Sequence, residues 1–172
     1  MSVLTLTLPR PTVDETQFRE AMAHLASGVA VVACWEGEEP HGLLVSSLTA
    51  LSTEPPRVLF CVGKTASAHK ALLKAQECSL ALLDEADQEE AERFSRRDRA
   101  GDRFDPRAWR LDPAAPPQRR DALVEIVGFI DQKIDAGSHS IFIVRVTGAA
   151  ARDRAPLVYF DRAFRRLASA GV

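Results

Sequence analysis

Residues 41–56, HGLLVSSLTALSTEPP, are the stretch on which the reading of this chain turns. A glycine follows the first residue, short hydroxyl side chains recur through an apolar run (Ser46, Ser47, Thr49, Ser52), and a Pro-Pro pair closes it. A strand with a purely structural role alternates apolar residues with bulky polar ones. This one alternates them with small hydroxyls, which let a flat ligand lie against the backbone and still offer it hydrogen bonds. An edge strand with a small-residue face is the plainer alternative.

The surrounding segments place that stretch in a sheet. Upstream, the β-branched run 29–35 reads as a strand and Glu36-Gly37-Glu38 as a turn, so residues 41–50 are expected to pair with it antiparallel. Earlier still, Phe18, Met22 and Leu25 stand at helical spacings of four and three and mark one apolar face. Thr12 with Glu15, or Asp14, is expected to cap that helix and Gly28 to end it; residues 1–12 read as an arm. Downstream come a strand over 57–62 stopped by Gly63, a short helix holding Leu72 and Leu73 capped by Ser67 or Thr65, and a buried strand over 78–83. A charged helix over 86–95 turns Ala91 and Phe94 inward. Residues 96–121 are charged, proline-rich and aperiodic, yet carry Phe104, Trp109 and Leu111. A connection of that length with aromatics reads as a functional lid or a dimer arm. Two long strands, 122–134 and 139–150, then meet at Asp135-Ala136-Gly137-Ser138, and a short apolar segment follows at 156–160.

Strands joined mainly by hairpins, with only short helices, predict a mainly β (α+β) antiparallel barrel in one domain spanning 1–172. The glycine-rich βαβ fingerprint of a dinucleotide-binding doubly wound sheet is absent. With 172 residues the chain is long enough for one core. Its formal net charge is −2, and its arginine pairs are scattered among acids and prolines, which argues against a nucleic-acid surface. No apolar run approaches the roughly 20 residues that span a bilayer, and MSVLTLTLPRPT lacks the pattern of a signal peptide. Cys34, Cys61 and Cys78 form no CxxC pair and sit in apolar runs, which fits a reduced cytoplasmic setting. The histidines lack the spacing of a zinc site, and Ser46 and Ser47 stand in no GxSxG elbow.

Read in order, the chain resembles the flavin reductase family. The resemblance is carried by Ala26-Ser27-Gly28-Val29-Ala30-Val31-Val32, by the hydroxyl-rich stretch with its Leu51-Ser52-x-x-Pro55-Pro56 ending, and by Val58-Leu59-Phe60-Cys61-Val62 leading into Gly63-Lys64-Thr65-Ala66-Ser67. Glu92-Arg93-Phe94-Ser95, then Gly137-Ser138-His139-Ser140-Ile141-Phe142-Ile143, then Pro156-Leu157-Val158-Tyr159-Phe160 continue it. The resemblance implies an antiparallel Greek-key split β-barrel with short flanking helices. It also implies a homodimer, FMN or FAD as cofactor, NADH or NADPH as co-substrate, and delivery of reduced flavin to a flavin-dependent monooxygenase component. No nucleic acid or membrane partner is expected.

The resemblance further implies that flavin lies along Ser46, Ser47, Leu48 and Thr49, with Ser52 and Cys61 nearby. The flavin phosphate is expected at the turn of Lys64, Thr65 and Ser67, and the distal part of the flavin or dinucleotide at Phe94 and Ser95. Taken alone, His139 is a turn histidine; in the family's place it lines the nicotinamide side, the one catalytic position expected here. Leu44, Ala66 and Ser138 depart from the family's usual threonine, hydroxyl and aspartate. They keep open a flavin-binding protein of the same fold with lost or altered reductase activity, or a pocket for another flat aromatic molecule.

Overall fold

The computed structural model of the chain describes residues 12–167. The expected N-terminal arm therefore lies, apart from Thr12, outside the described residues. Helix α1 (Glu15–Ala23) leads to strands β1 (Ser27–Gly28), β2 (Ala30–Glu36), β3 (Glu39–Val45), β4 (Thr49–Thr53) and β5 (Pro56–Gly63). Helix α2 (His69–Lys74), β6 (Glu77–Leu82), helix α3 (Gln88–Ser95) and a 3-10 turn (Arg97–Asp102) follow. The chain ends with β7 (Trp109–Arg110), β8 (Gln118–Arg119), β9 (Val124–Ala136), β10 (His139–Ala151), β11 (Leu157–Phe160) and β12 (Ala163–Arg166).

Seven strands form one antiparallel sheet in the order β3-β2-β6-β9-β10-β5-β4. It curls until both ends share one core: Val45 of β3 and Phe60 and Val62 of β5 pack with Val32, Leu80, Phe142 and Leu72 of α2. Among the described residues no ladder joins β3 to β4 or β5, so the barrel stays open along that seam. Ser47 crosses it instead. Its hydroxyl donates to the Cys61 carbonyl (3.2 Å) and accepts from the Cys61 N–H (2.9 Å). This is the antiparallel split barrel expected from the sequence, with short helices on its flanks.

Strand β2 explains its own composition. Ala30, Val32 and Cys34 face the barrel core, while Val31 and Ala33, with the preceding Val29, face a second core. Burial on both faces requires a continuous apolar run rather than an alternating one. The second core holds Leu83, Ala91, Phe94, Phe104, Trp109 and Leu157. Phe94, Phe104 and Trp109 pack as a triangle with centroids 4.9–5.3 Å apart. The Trp109 indole N–H donates to Glu90 Oε1 (2.7 Å), a carboxylate also held by Arg93 (2.7 Å), so the buried polar groups have partners. Much of the long connection over 96–121 is thus fastened to the barrel through Phe104 and Trp109 and folds into the β7–β8 ribbon.

Several local expectations are corrected. Asp14, not Thr12, caps α1, accepting the Thr16 N–H at 2.7 Å. The helix ends at Ala23, and Gly28 instead pairs with Val158 in a second sheet of order β1-β11-β12. That sheet contains a hairpin, β11–β12, of which the sequence reading found only the first strand. The N-cap of helix α2 (His69–Lys74) is Ala68 rather than Ser67 or Thr65. The first residue of that helix, His69, is buried, its Nε2 2.9 Å from Ser140 Oγ. The hydroxyl-rich stretch is not one strand either; β3 stops at Val45, and residues 46–48 carry the chain across the seam to β4.

Candidate functional site

At the mouth of the barrel, where β3 ends, lies a cleft of about 480 Å³, within the range of small-molecule sites. Its floor is Val29 and residues 43–46; Ala66 and Ser67 stand on one side, Phe94, Ser95 and Arg103 on another, and Tyr159 with residues 162–164 on the third. Packing holds each wall. Phe94 is pinned by Phe104 and Trp109, and Tyr159 meets Phe164 edge-on at 5.5 Å. Gly42 makes the wall behind Phe94 feasible, because a Cβ there would stand 2.8 Å from the Val32 carbonyl oxygen and 2.9 Å from Phe104 Cζ.

The charge of the cleft is one-sided. Among the described residues no carboxylate lines it, while Arg103 and Arg162 do. Arg103 donates all its N–H groups to Arg93 O (3.2 Å), Gly42 O (3.0 Å), Phe94 O (3.3 Å), Arg96 O (2.8 Å) and Ser67 Oγ (3.4 Å). Its guanidinium also lies 5.4 Å from the Phe94 ring centroid. These partners are dipoles and a ring face, so the positive charge is solvated but not cancelled. Burial lowers the Arg103 pKa below the usual arginine value. Arg162 sits at the β11–β12 turn with φ +59° beside Asp161 at φ +47°.

Four of the expected site residues meet in this cleft: Ser46, Ser67, Phe94 and Ser95. Leu44 and Ala66, two of the departures from the family pattern, line it as well and make its floor more apolar. The hydroxyl of Ser95 already donates to Glu92 O (2.9 Å). The other expected residues lie elsewhere. The Ser47 hydroxyl is engaged by both backbone groups of Cys61 across the seam. Leu48 and Thr49 line a separate apolar recess of about 300 Å³ with Ala30, Val58 and Ile126. Ser52 donates to Pro55 O (2.6 Å) in the turn before β5.

Lys64 and His139 stand together at the far ends of β5 and β10, outside the lining of the cleft. Lys64 Nζ is 2.6 Å from Asp135 Oδ2, a bond that, helped by the Gly137 N–H, holds the Asp135 carboxyl below the usual range. His139 is exposed, with Nδ1 2.9 Å from Ser138 Oγ and its ring beside Gly63.

Arg103 and Arg162 escaped the sequence reading. Arg103 lies in a charged segment that looks like a solvated loop, and nothing local separates it from its neighbours. Arg162 had a signal: Asp161-Arg162 falls between two short apolar runs, LVYF and AF, as the two residues of a hairpin turn do.

The family described as flavin reductase like domain matches residues 22–168. An FMN reductase (NADH), SmoA of Agrobacterium fabrum, is 33% identical over 154 residues, covering 89% of this chain and 86% of that one. The reductase component of a 4-nitrophenol 4-monooxygenase/4-nitrocatechol 2-monooxygenase from Rhodococcus opacus is 29% identical, covering 88% and 80%. Among solved structures, the NADH:FAD oxidoreductase SgcE6 of Streptomyces globisporus C-1027, in complex with NAD and FAD fragments, superposes with a TM-score of 0.82 at 30% identity, covering 90% of this chain and 93% of that one. With a family match over residues 22–168 and a fold shared with a reductase structure at 30% identity, the chain belongs to the flavin reductase-like family.

Proposed function

We propose that the protein reduces FMN or FAD with NADH or NADPH and hands the reduced flavin to a separate flavin-dependent monooxygenase. The observation that carries this reading is the cleft itself: aromatic and small walls, free edges of β-backbone, and two uncancelled arginines with no acid among its lining. A flavin nucleotide is a flat ring joined to a phosphate, and that donor set fits it. Bound flavin supplies the acceptor for a hydride from the pyridine nucleotide. The protein's part is to hold the rings in register and to keep the floor dry, which Val29, Leu43, Leu44 and Val45 do. Ser46 and Ser67 offer hydroxyls at the rim, and Phe94 a fixed ring.

The nicotinamide-side role of His139 remains part of the proposal. Because the histidine lies outside the cleft lining, its contribution is expected in the affinity for the pyridine nucleotide rather than for flavin. A homodimer is proposed as well. Helix α1 buries no residue, and Phe18, Met22 and Leu25 are 54%, 43% and 58% exposed along one face; a second copy is the occupant that would cover that apolar stripe. No helix among the described residues is long and apolar enough to cross a membrane. A reducing, cytoplasmic setting is supported by three free thiols, with burial raising Cys34 to about 12.

The delivery step rests on likeness to the Rhodococcus reductase component. The direct test is NADH and NADPH oxidation by purified protein with added FMN or FAD. Turnover with at least one pair supports the reading. Flavin fluorescence quenching without turnover would leave a flavin carrier, and neither would remove flavin from the account.

A further inference from the structure

The β11–β12 turn places a long cation in a costly backbone conformation at the edge of the cleft. Asp161 and Arg162 both have positive φ, +47° and +59°, the pair of conformations of a two-residue type I′ turn. Glycine or asparagine serves that turn with less strain. The turn is tied down: the Asp161 N–H donates to Ala23 O at 2.8 Å, at the end of α1. Arg162 lines the cleft, yet has no hydrogen bond or ion pair among the described residues. Nearly every other arginine described around the second core is paired, for example Arg93 with Glu90, Arg119 with Asp87 and Arg154 with Asp84. Strain retained at an unpaired cleft residue points to a ligand.

We propose that Arg162 grips the phosphate ester of the nucleotide bound in the cleft, and that Arg103 supports it through space. The division follows from their donors. Arg103 has every N–H committed to carbonyls and Ser67, so it contributes field rather than contact. Arg162 retains its whole fork, which matches two phosphate oxygens at once. Lys64, the cation expected from the sequence, is turned to Asp135 and lies outside the lining. This inference rests on the reductase reading and adds the residue that discriminates phosphorylated from unphosphorylated ligands.

The test is Arg162→Gly, which removes the cation while giving the turn a residue suited to positive φ, so the variant is expected to fold at least as well. Flavin fluorescence quenching is titrated with FMN and with riboflavin, its unphosphorylated counterpart. Steady-state KM is measured for NADH and for reduced nicotinamide riboside with riboflavin as acceptor. A flavin phosphate at Arg162 raises the FMN Kd about tenfold at low ionic strength and leaves riboflavin within about twofold. A dinucleotide phosphate there raises the NADH KM about tenfold and spares the riboside. Arg162→Lys should recover part of the loss, and added salt should erase the difference between wild type and variant. If all four ligands change by less than about twofold, or phosphorylated and unphosphorylated ligands weaken together, the assignment is overturned. If wild-type protein binds no flavin and turns over no nucleotide, the reductase reading itself falls and carries this inference down with it.

Discussion

Replacing Gly42 with alanine should damage the stability and the ligand affinity of this protein together, because one methyl group presses on both. The added Cβ would stand 2.8 Å from the Val32 carbonyl oxygen, 2.9 Å from Phe104 Cζ and 3.0 Å from Phe94 Cε1. All three separations lie well inside ordinary carbon contact distances of about 3.5–4.0 Å. Val32 belongs to β2, which pairs with β3 at this point (Ala33 opposite Gly42), so its carbonyl cannot retreat without opening the ladder. The two rings must move instead. Phe104 and Phe94 pack edge to face at 5.1 Å and both touch Trp109, so displacement spreads through the second core. Overpacking of this kind costs about 1–3 kcal/mol, which for a domain of this size lowers Tm by roughly 2–4 °C per kcal/mol. Phe94 also lines the cleft, and the Gly42 carbonyl is one of the acceptors that hold Arg103, so flavin affinity should fall as well. Thermal melts and flavin quenching on Gly42→Ala, Phe104→Leu and the double variant form the assay. Phe104→Leu removes Cζ, so the double variant should recover about 1 kcal/mol relative to additivity. A Gly42→Ala protein with wild-type Tm and wild-type flavin Kd would refute the close approach.

Ser47→Ala should lower stability by about 1–3 kcal/mol in urea unfolding, since it strands the Cys61 N–H beside a seam that has no ladder; a selective loss of flavin affinity at unchanged stability would instead place that hydroxyl on the ligand. His139→Ala should raise the KM for NADH while leaving the flavin Kd within about twofold, and equal loss of both would move the histidine into the flavin site. Phe18→Glu with Met22→Glu should shift sedimentation toward monomer if α1 is covered by a second copy, and an unchanged profile would remove α1 from the interface. Asp84 is buried; burial raises its pKa, but the Arg154 hydrogen bond at 2.9 Å and the Ala86 N–H outweigh this and hold the carboxyl below the ordinary range. Its stabilising effect is therefore complete above the unfolded carboxylate pKa of about 3.9 and is lost as pH falls through the depressed folded value. Wild-type protein should lose stability faster than Asp84→Asn as pH falls below about 4, from the unfolded carboxylate pKa down through the depressed folded one, and parallel acid limbs would contradict this.

What the sequence could disclose follows the range over which each signal acts. The apolar run of β2, the turn at Gly37, the hairpin at Gly137 and the charged helix ending at Ser95 are written in neighbouring residues, and all stand where periodicity and turn chemistry put them. The seam is different. Ser47 looks like its neighbour Ser46, yet one hydroxyl stitches β5 and the other faces the cleft, because the strand stops at Val45 and the chain crosses the barrel there. A hydroxyl-rich pattern cannot tell these roles apart; only the closure of the barrel can. Trp109 and Phe104 showed that residues 96–121 must bury aromatics, but half of the partner surface, Val29 with Val31 and Ala33 of β2, is far away in sequence.

The same distinction governs the cleft's electrostatics. Residues 93–103 hold five arginines of similar chemistry, and of these Arg93, Arg96 and Arg99 find carboxylates close by in sequence, between Glu89 and Asp102. Arg103 instead turns back across the chain to the Gly42 carbonyl. Gly42 thus serves the site from behind the cleft wall: its missing side chain admits two aromatic rings, and its carbonyl holds a guanidinium. The charge that results shares the cleft lining with the exposed Arg162, and among the described residues no acid joins them there. An anion entering the cleft meets one arginine whose geometry is already fixed and another still free to close on it, so the ordering cost of binding falls mainly on Arg162.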